Sequence, residues 1–237
     1  MMRRYLLWFS LLLNAVLLMG VYVLINRMGG WTYALYRLNH DVGGLYQHRK
    51  QLFEQLPVRP GAIIFLGDSQ IQQCEWQDLI DPDSAVILNR GIVGDHVTGV
   101  LARLDEIARH KPARIFLEVG INDLIFGKTP EELTPAYREL VAAIRKKTPE
   151  SELVLQSILP VNNHIKKIGI ENDLIRQMNT NIAAIAKEYA ISYTDVYDQL
   201  TDTEGNLSTQ FSEDGIHLNG AGYAAWKKAI LVTSNEL

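Results

Sequence analysis

Short apolar runs alternate with longer amphipathic segments over most of the chain beyond residue 58. The runs are rich in Ile, Val, Leu and Phe, and they lack the strict apolar–polar alternation of a strand with one face in water. We therefore expect each run to be a strand that is buried on both faces of a sheet. The five runs are AIIFLG (62–67), AVILN (85–89), RIFLEVG (114–120), ELVLQSI (152–158) and ISYTDV (191–196).

Apolar residues between these runs recur at three- and four-residue spacing, which is the period of an amphipathic helix. The clearest helical segments are 96–110, 129–149, 172–190 and, at the end of the domain, 219–231. Strands that alternate with helices predict a three-layer α/β/α sandwich around a five-stranded parallel sheet. Ligands bind such sheets beyond the carboxyl ends of the strands, so the polar residues that follow each strand are the candidates for a site.

The first 27 residues have a different pattern, since no charged residue occurs between Tyr5 and Ile25. As a helix this segment would span about 30 Å, the thickness of a bilayer hydrocarbon core. A cleaved signal peptide has a shorter apolar core and an A-x-A-like exit, although small residues such as Gly20 and Gly29 leave cleavage open. The sequence predicts a single-pass membrane anchor at 1–27. A short basic N-terminus favours placing the following domain on the extracytoplasmic side.

The rest of the chain divides at two prolines, Pro57 and Pro60. We expect residues 28–57 to form a helical stalk, with weak helical pieces on either side of Gly43-Gly44, and residues 58–237 to form the globular domain. The formal charge of −4 argues against a nucleic-acid partner. A single cysteine, Cys74, excludes an internal disulfide and is expected to be a small core residue.

The stretch GAIIFLGDSQI (61–71) ends a buried strand with an acid and a hydroxyl group, Asp68 and Ser69. A serine hydroxyl becomes a nucleophile only when a base takes its proton, and the base is most often a histidine oriented by a carboxylate. His217, in SEDGIHLNGAGY, follows Asp214 by three residues, and the intervening glycine permits a tight turn. Ser69, His217 and Asp214 are therefore the candidate catalytic residues.

A serine nucleophile also needs donors for the oxyanion that forms during attack. The Ser69 backbone amide, the amide of Gly94 in NRGIVGDH and the side chain of Asn122 in EVGINDL all follow predicted strands. Gly91 is the alternative to Gly94 as the second oxyanion donor. Each of these motifs alone also fits ordinary turn chemistry.

Four sequence blocks, in this order along the chain, resemble those of the SGNH (GDSL-type) hydrolases. They are GDSQ (67–70), GIVGD (91–95), GIND (120–123) and DGIHLN (214–219). The flanking residues are similar to the platelet-activating-factor acetylhydrolase-like branch, and the resemblance covers about 60–230. It implies a flavodoxin-like fold without a cofactor, with Ser69, Asp214 and His217 as the triad and Ser69, Gly94 and Asn122 as the oxyanion hole. Gln70 replaces the leucine of the common GDSL form. The G-x-S-x-G motif of another hydrolase fold is absent, because Ile71 stands at its last position.

Five other polar residues in or near these blocks have two interpretations each. His96 and the loop residues Asn162 and Asn163 are candidates for substrate binding, although each is also a plausible surface residue. Asp68 and Asp123 are expected to hold loops. The alternative is a metal site that they form with Asp214 and His217, as in a phosphoesterase.

Together these features predict a membrane-anchored serine esterase that cleaves carboxylic esters, with short acyl groups, of lipids or glycans through an acyl-enzyme. We expect no metal and a small-molecule, glycan or lipid ester as the substrate. The alternatives are a non-catalytic tethered binding protein on the same fold and a metal-dependent phosphoesterase. The sequence does not give the oligomeric state.

Overall fold

The computed structural model describes residues 2–27, 42–80 and 85–233. The chain divides into two compact units, 1–48 and 49–237. The predicted stalk began at residue 28, and its first part, up to residue 41, lies outside the described residues. Its last part belongs to the second unit, because Phe53 is buried there.

The second unit is built on five parallel strands in the order β2-β1-β3-β4-β5, as the apolar runs predict. Glycine at the end of β1 is paired with glycine at the end of β2 and with Glu118 at the end of β3, so three strand ends meet at one edge. The strands are β1 (Ile63–Gly67), β2 (Ile87–Gly91), β3 (Arg114–Glu118), β4 (Glu152–Gln156) and β5 (Ser192–Thr194).

Helices cover both faces of this sheet and complete the expected three layers. The described helices are α1 (Met2–Arg27), α2 (Val42–Gln55), α3 (Ser69–Gln72), α4 (Trp76–Ile80), α5 (Val97–Leu101), α6 (Leu104–Ala108), α7 (Ile121–Ile125), α8 (Pro130–Lys147), α9 (Asn172–Glu188), α10 (Tyr197–Leu200) and α11 (Gly220–Thr233). The α/β sandwich with a five-stranded parallel sheet is therefore confirmed.

Alternate strand residues supply the two halves of the core, because side chains of a strand point in turn to opposite faces. Ile64 and Leu66 pack with α5, α6, α8 and α9 on one face. Ile63 and Phe65 pack with α3, α4, α10 and α11 on the other. Phe65 stacks on the indole of Trp76, with ring centroids 4.0 Å apart. The burial of every residue of β1 agrees with its continuous apolar sequence.

The first unit contains α1, whose residues Arg3–Asn26 are long and apolar enough to cross a membrane. A signal sequence near the N-terminus can meet the same criteria of length and composition. α2 begins at Val42 and therefore includes Gly43 and Gly44, which the sequence placed between two helical pieces.

The segment 96–110 is predicted as one helix and is observed as two, α5 and α6. The break lies at Arg103, whose backbone leaves the helical region (φ −120°, ψ 16°). Its side chain points into the carboxyl edge of the sheet, where it bonds to three groups described below. These buried contacts override the helical periodicity of the segment.

Candidate active site

The Ser69 hydroxyl lies at the start of α3, directly beyond the end of β1. Asp68 caps this helix, since its Oδ1 accepts the Gln70 N–H at 3.0 Å. Gly67 fits the turn because a Cβ atom there would stand 1.8 Å from the Glu118 carbonyl oxygen. The close approach of two strand ends therefore requires glycine before the Asp-Ser pair.

Three side chains from distant parts of the sequence form a hydrogen-bonded chain at this edge. The Oγ of Ser69 lies 3.2 Å from Nε2 of His217, and Nδ1 of His217 lies 2.7 Å from Oδ2 of Asp214. An ionised carboxylate only accepts, so the imidazole proton is assigned to Nδ1. That tautomer leaves Nε2 as an acceptor for the Ser69 hydroxyl proton.

Asp214 holds both the ring and the backbone of the loop that carries it. Its Oδ1 accepts the N–H groups of Ile216 at 3.0 Å and His217 at 2.8 Å, and its Oδ2 is the atom on the imidazole. Burial opposes ionisation of this carboxyl group, but the hydrogen bonds from His217 and Ile216 outweigh burial and lower the pKa of Asp214 to about 2. The carboxylate is therefore charged throughout the neutral range.

The loop before His217 is folded tightly around Gly215, as the sequence suggested. Gly215 has a φ of +82°, and a Cβ there would stand 2.5 Å from the Asn162 carbonyl oxygen. The Gly215 carbonyl accepts the Asn162 N–H at 2.8 Å, and the Gly215 N–H donates to the Ser212 hydroxyl at 2.9 Å. These bonds set the position of the imidazole relative to β1.

The candidate oxyanion donors follow β1, β2 and β3. Within the described part of the chain, neither the Ser69 nor the Gly94 amide donates a hydrogen bond. Gly94 has a φ of +77° with open space around its Cα, whereas Gly91 is packed against the Gln72 amide. Asn122 donates one amide hydrogen to the Asp95 carbonyl at 2.9 Å, which leaves its second N–H for a ligand.

Arg103 joins these strand ends, and the sequence analysis did not identify it. Its Nε donates to Oδ2 of Asp95 at 2.8 Å, and its Nη2 donates to the carbonyls of Gly67 at 3.0 Å and Arg90 at 2.9 Å. The residue is 3% exposed. The Asp95 carbonyl is also the acceptor for Asn122, so one guanidinium group links the turns that follow all three strands. In the sequence, the only available sign of this role is that Arg103 is a basic residue in the helical segment 96–110, many of whose residues are apolar.

Asp68 and Asp123, the two further acids beside the blocks, are fully buried. Asp123 accepts the Val97 N–H at 2.9 Å and pairs with Lys128 Nζ at 2.7 Å. Asp68 caps α3. Over the described ranges, no three His, Cys, Asp or Glu side chains converge as an ion site, so these two acids do not join Asp214 in the alternative metal site.

The three residues considered for substrate binding have different surroundings. His96 is partly exposed, lies 3.5 Å from Asp123 Oδ2, and its ring centroid is 5.4 Å from that of Phe126. Phe126, which the sequence analysis did not single out, is 75% exposed. Asn162 is buried and its amide group bonds to Leu207 and His164.

Asn163 is also engaged within its own loop. Its amide nitrogen donates to the Ile170 carbonyl and its oxygen accepts the Ile168 N–H, each at 2.8 Å. The structure thus gives Asn162 and Asn163 a part in shaping the loop after β4. Both amides bond within their own surroundings, and substrate binding by His96, Asn162 and Asn163 stays a prediction. His96 lies near the oxyanion candidates, since it is 3.5 Å from Asp123, the neighbour of Asn122.

A row of buried polar side chains lies at the ends of β3, β4 and β5. Glu118, Gln156 and Thr194 carry side-chain atoms without a hydrogen-bond partner among the described residues. Burial, and then the neighbouring Asp68 carboxyl group, raises the pKa of Glu118 well above its usual value. The direction of this shift favours the protonated acid. In the sequence, Glu118 is a charged residue inside an apolar run.

Cys74 is buried, as expected for a core residue. Burial, with a smaller effect of Glu75, raises the pKa of its thiol to about 12. The thiol is thus protonated at neutral pH, and the thiolate is the nucleophilic form.

Comparison with known proteins places this geometry in a family. The model of the GDSL-like Lipase/Acylhydrolase family matches residues 65–225. Platelet-activating factor acetylhydrolase IB subunit alpha1 of Homo sapiens is 30% identical over 175 residues, which are 71% of this chain and 73% of that protein. The beta homolog of Drosophila melanogaster is 28% identical over 166 residues, 68% of this chain and 71% of that protein.

A solved structure from Streptococcus pneumoniae, described as a platelet activating factor, has a TM-score of 0.71 with this chain at 28% identity. The superposed region covers 90% of this chain and 96% of the Streptococcus pneumoniae chain. The matched family region includes Ser69, Gly94, Asn122, Asp214 and His217 and makes up more than half of the chain. The chain therefore belongs to the GDSL-like lipase/acylhydrolase family and is an ester-hydrolysing serine hydrolase.

Proposed function

We propose that this chain is a membrane-anchored esterase that removes short acyl groups from lipid or glycan esters through an acyl-enzyme on Ser69. The observation that carries the proposal is the continuous chain of hydrogen bonds from Ser69 through His217 to Asp214. A hydroxyl whose proton can pass to an imidazole, itself paired with a carboxylate, is an activated nucleophile.

The first half of the reaction forms the acyl-enzyme. Ser69 Oγ attacks the ester carbonyl carbon as its proton moves to Nε2 of His217, and Asp214 stabilises the resulting imidazolium. When the tetrahedral intermediate collapses, the bond between the carbonyl carbon and the alkoxy oxygen breaks. The leaving alcohol takes the proton from Nε2, so His217 returns to its neutral form.

The second half releases the acid. A water molecule gives a proton to Nε2 of His217 and attacks the acyl carbon, and the bond to Ser69 Oγ then breaks as Oγ recovers that proton. In both halves the negative charge on the carbonyl oxygen is stabilised by donors. The amides of Ser69 and Gly94 and the second N–H of Asn122 are the groups proposed for this role.

The proposed preference for short acyl groups draws its support from the relatives. The cavity of about 190 Å³ beside the imidazole is lined by Glu213, Asp214, His217, Leu218 and Asn219, and not by Ser69 or the proposed oxyanion donors, so its volume does not set the acyl length. The relatives named as acetylhydrolases are consistent with an acetyl ester.

The proposed anchor is α1, and its length and apolar composition support a single span. A catalytic unit outside the cytoplasm would meet both lipid and glycan esters, which leads to these two substrate classes. Extraction of membranes with alkaline carbonate tests the anchor. The chain is expected to stay with the membrane, and its release into the wash would contradict this part of the proposal.

The esterase proposal is tested with the full chain in detergent and a panel of acetyl, butyryl and octanoyl esters beside acetylated sugars. Acetyl esters are expected to react fastest, and Ser69→Ala is expected to reduce their hydrolysis to background. Asn122→Ala is expected to be slower by roughly 10²–10³, the usual loss for one oxyanion donor. Full activity of Ser69→Ala would refute the assignment, and a preference for octanoyl esters would refute the short-acyl part.

A further inference from the structure

Arg49, in the second half of α2, reaches a strand end at the candidate active site. Its Nε donates to the Gly91 carbonyl at 2.6 Å. Gly91 is the last residue of β2 and is followed by the loop that carries Gly94. Arg49 precedes the matched family region of residues 65–225, so the comparison with the family gives it no role.

The position of the Gly91 backbone affects the position of this loop relative to Ser69. A Cβ at Gly91 would stand 2.2 Å from the Gln72 amide and 2.7 Å from the Asp68 carbonyl oxygen, so its backbone lies against the start of α3. The next amide, of Ile92, donates to the Gly67 carbonyl at 3.1 Å. A shift of Gly91 would therefore change the position of Gly94 relative to the Ser69 turn.

Arg49 is held in place by the ring of Phe53, one helical turn further along the same face of α2. The guanidinium carbon of Arg49 is 4.9 Å from the centre of this ring, and that of Arg90 is 4.6 Å from it. Phe53 is 4% exposed. Arg109 fixes the end of the helix by donating to the carbonyls of Phe53, Glu54 and Leu56.

The surroundings of Arg49 are electrostatically unfavourable for an arginine that serves stability alone. Burial, followed by the charges of Arg90 and Arg103, lowers its pKa. Arg49 makes no ion pair within the described ranges, and the attraction of the Glu75 carboxylate, the smallest of the effects on its pKa, offsets this repulsion only in part. Its polar contact there is with the backbone of the active-site loop.

We infer that Arg49 is a positioning residue for the oxyanion hole, which holds the loop carrying Gly94 through the Gly91 carbonyl. This inference rests on the proposed function for the role of Gly94. It makes the last turns of α2 part of the catalytic unit. A misplacement of about 1 Å in a site can reduce the rate about 10²-fold, so the effect should appear in kcat.

The test compares Arg49→Gln, Arg49→Lys and the control Lys50→Gln in the full chain in detergent. Lys50 is the neighbouring cation on α2, and its side chain makes no hydrogen bond or ion pair within the described part of the chain. Arg49→Gln is expected to lower kcat about 10- to 100-fold with KM changed less than threefold. Arg49→Lys, which keeps the charge and one donor, should recover part of this loss, and Lys50→Gln should match the unchanged protein.

Amide hydrogen exchange in the peptide 91–97 provides a readout that does not depend on activity. Arg49→Gln is expected to speed exchange in this peptide while peptides from β3 and β4 stay unchanged, and Lys50→Gln is expected to alter neither. If Arg49→Gln proves unstable, Arg49→Lys is expected to show the same local change on a smaller scale. Unchanged exchange and unchanged kcat in Arg49→Gln and Arg49→Lys would overturn the inference. Absence of esterase activity in the unchanged protein, together with faster local exchange in Arg49→Gln, would instead overturn only the proposed function.

Discussion

Two buried arginines, Arg90 within β2 and Arg103 between α5 and α6, bond to different kinds of partner. The fork of Arg103 reaches the backbone carbonyls of Gly67 and Arg90 as well as the Asp95 carboxylate. The side chain of Arg90 instead pairs with Glu106, at 3.1 Å, and contacts His110. Both residues are 3% exposed, so burial does not distinguish them.

The difference shows how one type of buried charge can serve two purposes. Arg103 bonds to the end of β1 before Ser69 and to Asp95, whose carbonyl accepts from Asn122, so we expect its geometry to hold the site. Arg90 and Glu106 lie in a framework with His110, whose Nδ1 accepts the Arg59 amide at 2.9 Å. We expect changes at Arg103 to affect mainly catalysis and changes around Arg90 to affect mainly stability.

The largest expected effect is the loss of the framework carboxylate in Glu106→Ala. Removing one partner of a buried ion pair leaves an uncompensated charge, which lowers the free energy of unfolding by about 3–5 kcal/mol. The kcat of the remaining folded protein is expected to stay within about threefold, since Glu106 contacts no active-site turn. Urea unfolding followed by fluorescence, combined with initial rates, measures both quantities. If activity fell by more than the fraction of folded protein, Glu106 would also act on catalysis, which would contradict the expected difference between Arg90 and Arg103.

A slightly smaller effect is expected for Arg103→Lys, and it should appear in the rate. Lysine keeps the positive charge near Asp95 but cannot make the planar fork to two carbonyls. We expect kcat to fall about 10²-fold, because a small misplacement of reacting groups has this effect, while the unfolding midpoint falls by a few degrees. Initial rates over a range of substrate concentrations separate kcat from KM. If kcat is unchanged and the midpoint falls steeply, Arg103 belongs with the framework.

Glu118 extends the comparison to a buried acid without any partner among the described residues. Its folded pKa is raised by burial and by Asp68, whereas in the unfolded chain it ionises near its ordinary value. Above that ordinary value the folded state holds one more proton than the unfolded state. The free energy of unfolding of the protein therefore falls as pH rises, by at most about 1.4 kcal/mol per pH unit, until the pH passes the pKa of Glu118 in the folded state.

Glu118→Gln has no proton to lose, so its stability relative to the unchanged protein is expected to increase as pH rises from 5 to 8. Thermal unfolding midpoints of both proteins across this range measure the difference. A difference that stays constant with pH would show that Glu118 does not keep its proton in the folded state.

The smallest effect is expected at the exposed ion pair of Lys147 and Asp105. Their side chains are 40% and 92% exposed, so water screens the attraction. Lys147→Gln is expected to change the free energy of unfolding by less than about 0.5 kcal/mol and to leave kcat unchanged. A larger change in urea unfolding would contradict the expectation that an exposed ion pair contributes little to stability here.

The sequence predicts the parts of the molecule that repeat a local pattern. Continuous apolar runs identify the five strands, and helical periodicity identifies α8, α9 and α11, because both patterns follow from burial of one element against its neighbours. The turn chemistry around Gly215 was also visible, since an acid, a glycine and a histidine stand within four residues.

The contacts that hold the site were not visible in the sequence. Arg49 and Arg103 donate to backbone carbonyls, which every residue has, so the acceptors carry no sequence signal. The split between α5 and α6 arises from the same long-range bonds of Arg103. The internal contacts of Asn162 and Asn163 depend on the path of a loop, which composition does not determine.

The central claim is that His217 activates the Ser69 hydroxyl, and labelling with a fluorophosphonate probe tests it most directly. The full chain in detergent is treated with the probe, and the modified residue is identified by mass spectrometry of its peptides. The account predicts one adduct, on Ser69, and a labelling rate at least about 10³-fold lower in His217→Ala, since removing one triad member costs this much. An unlabelled protein, an adduct on another residue, or undiminished labelling of His217→Ala would contradict it.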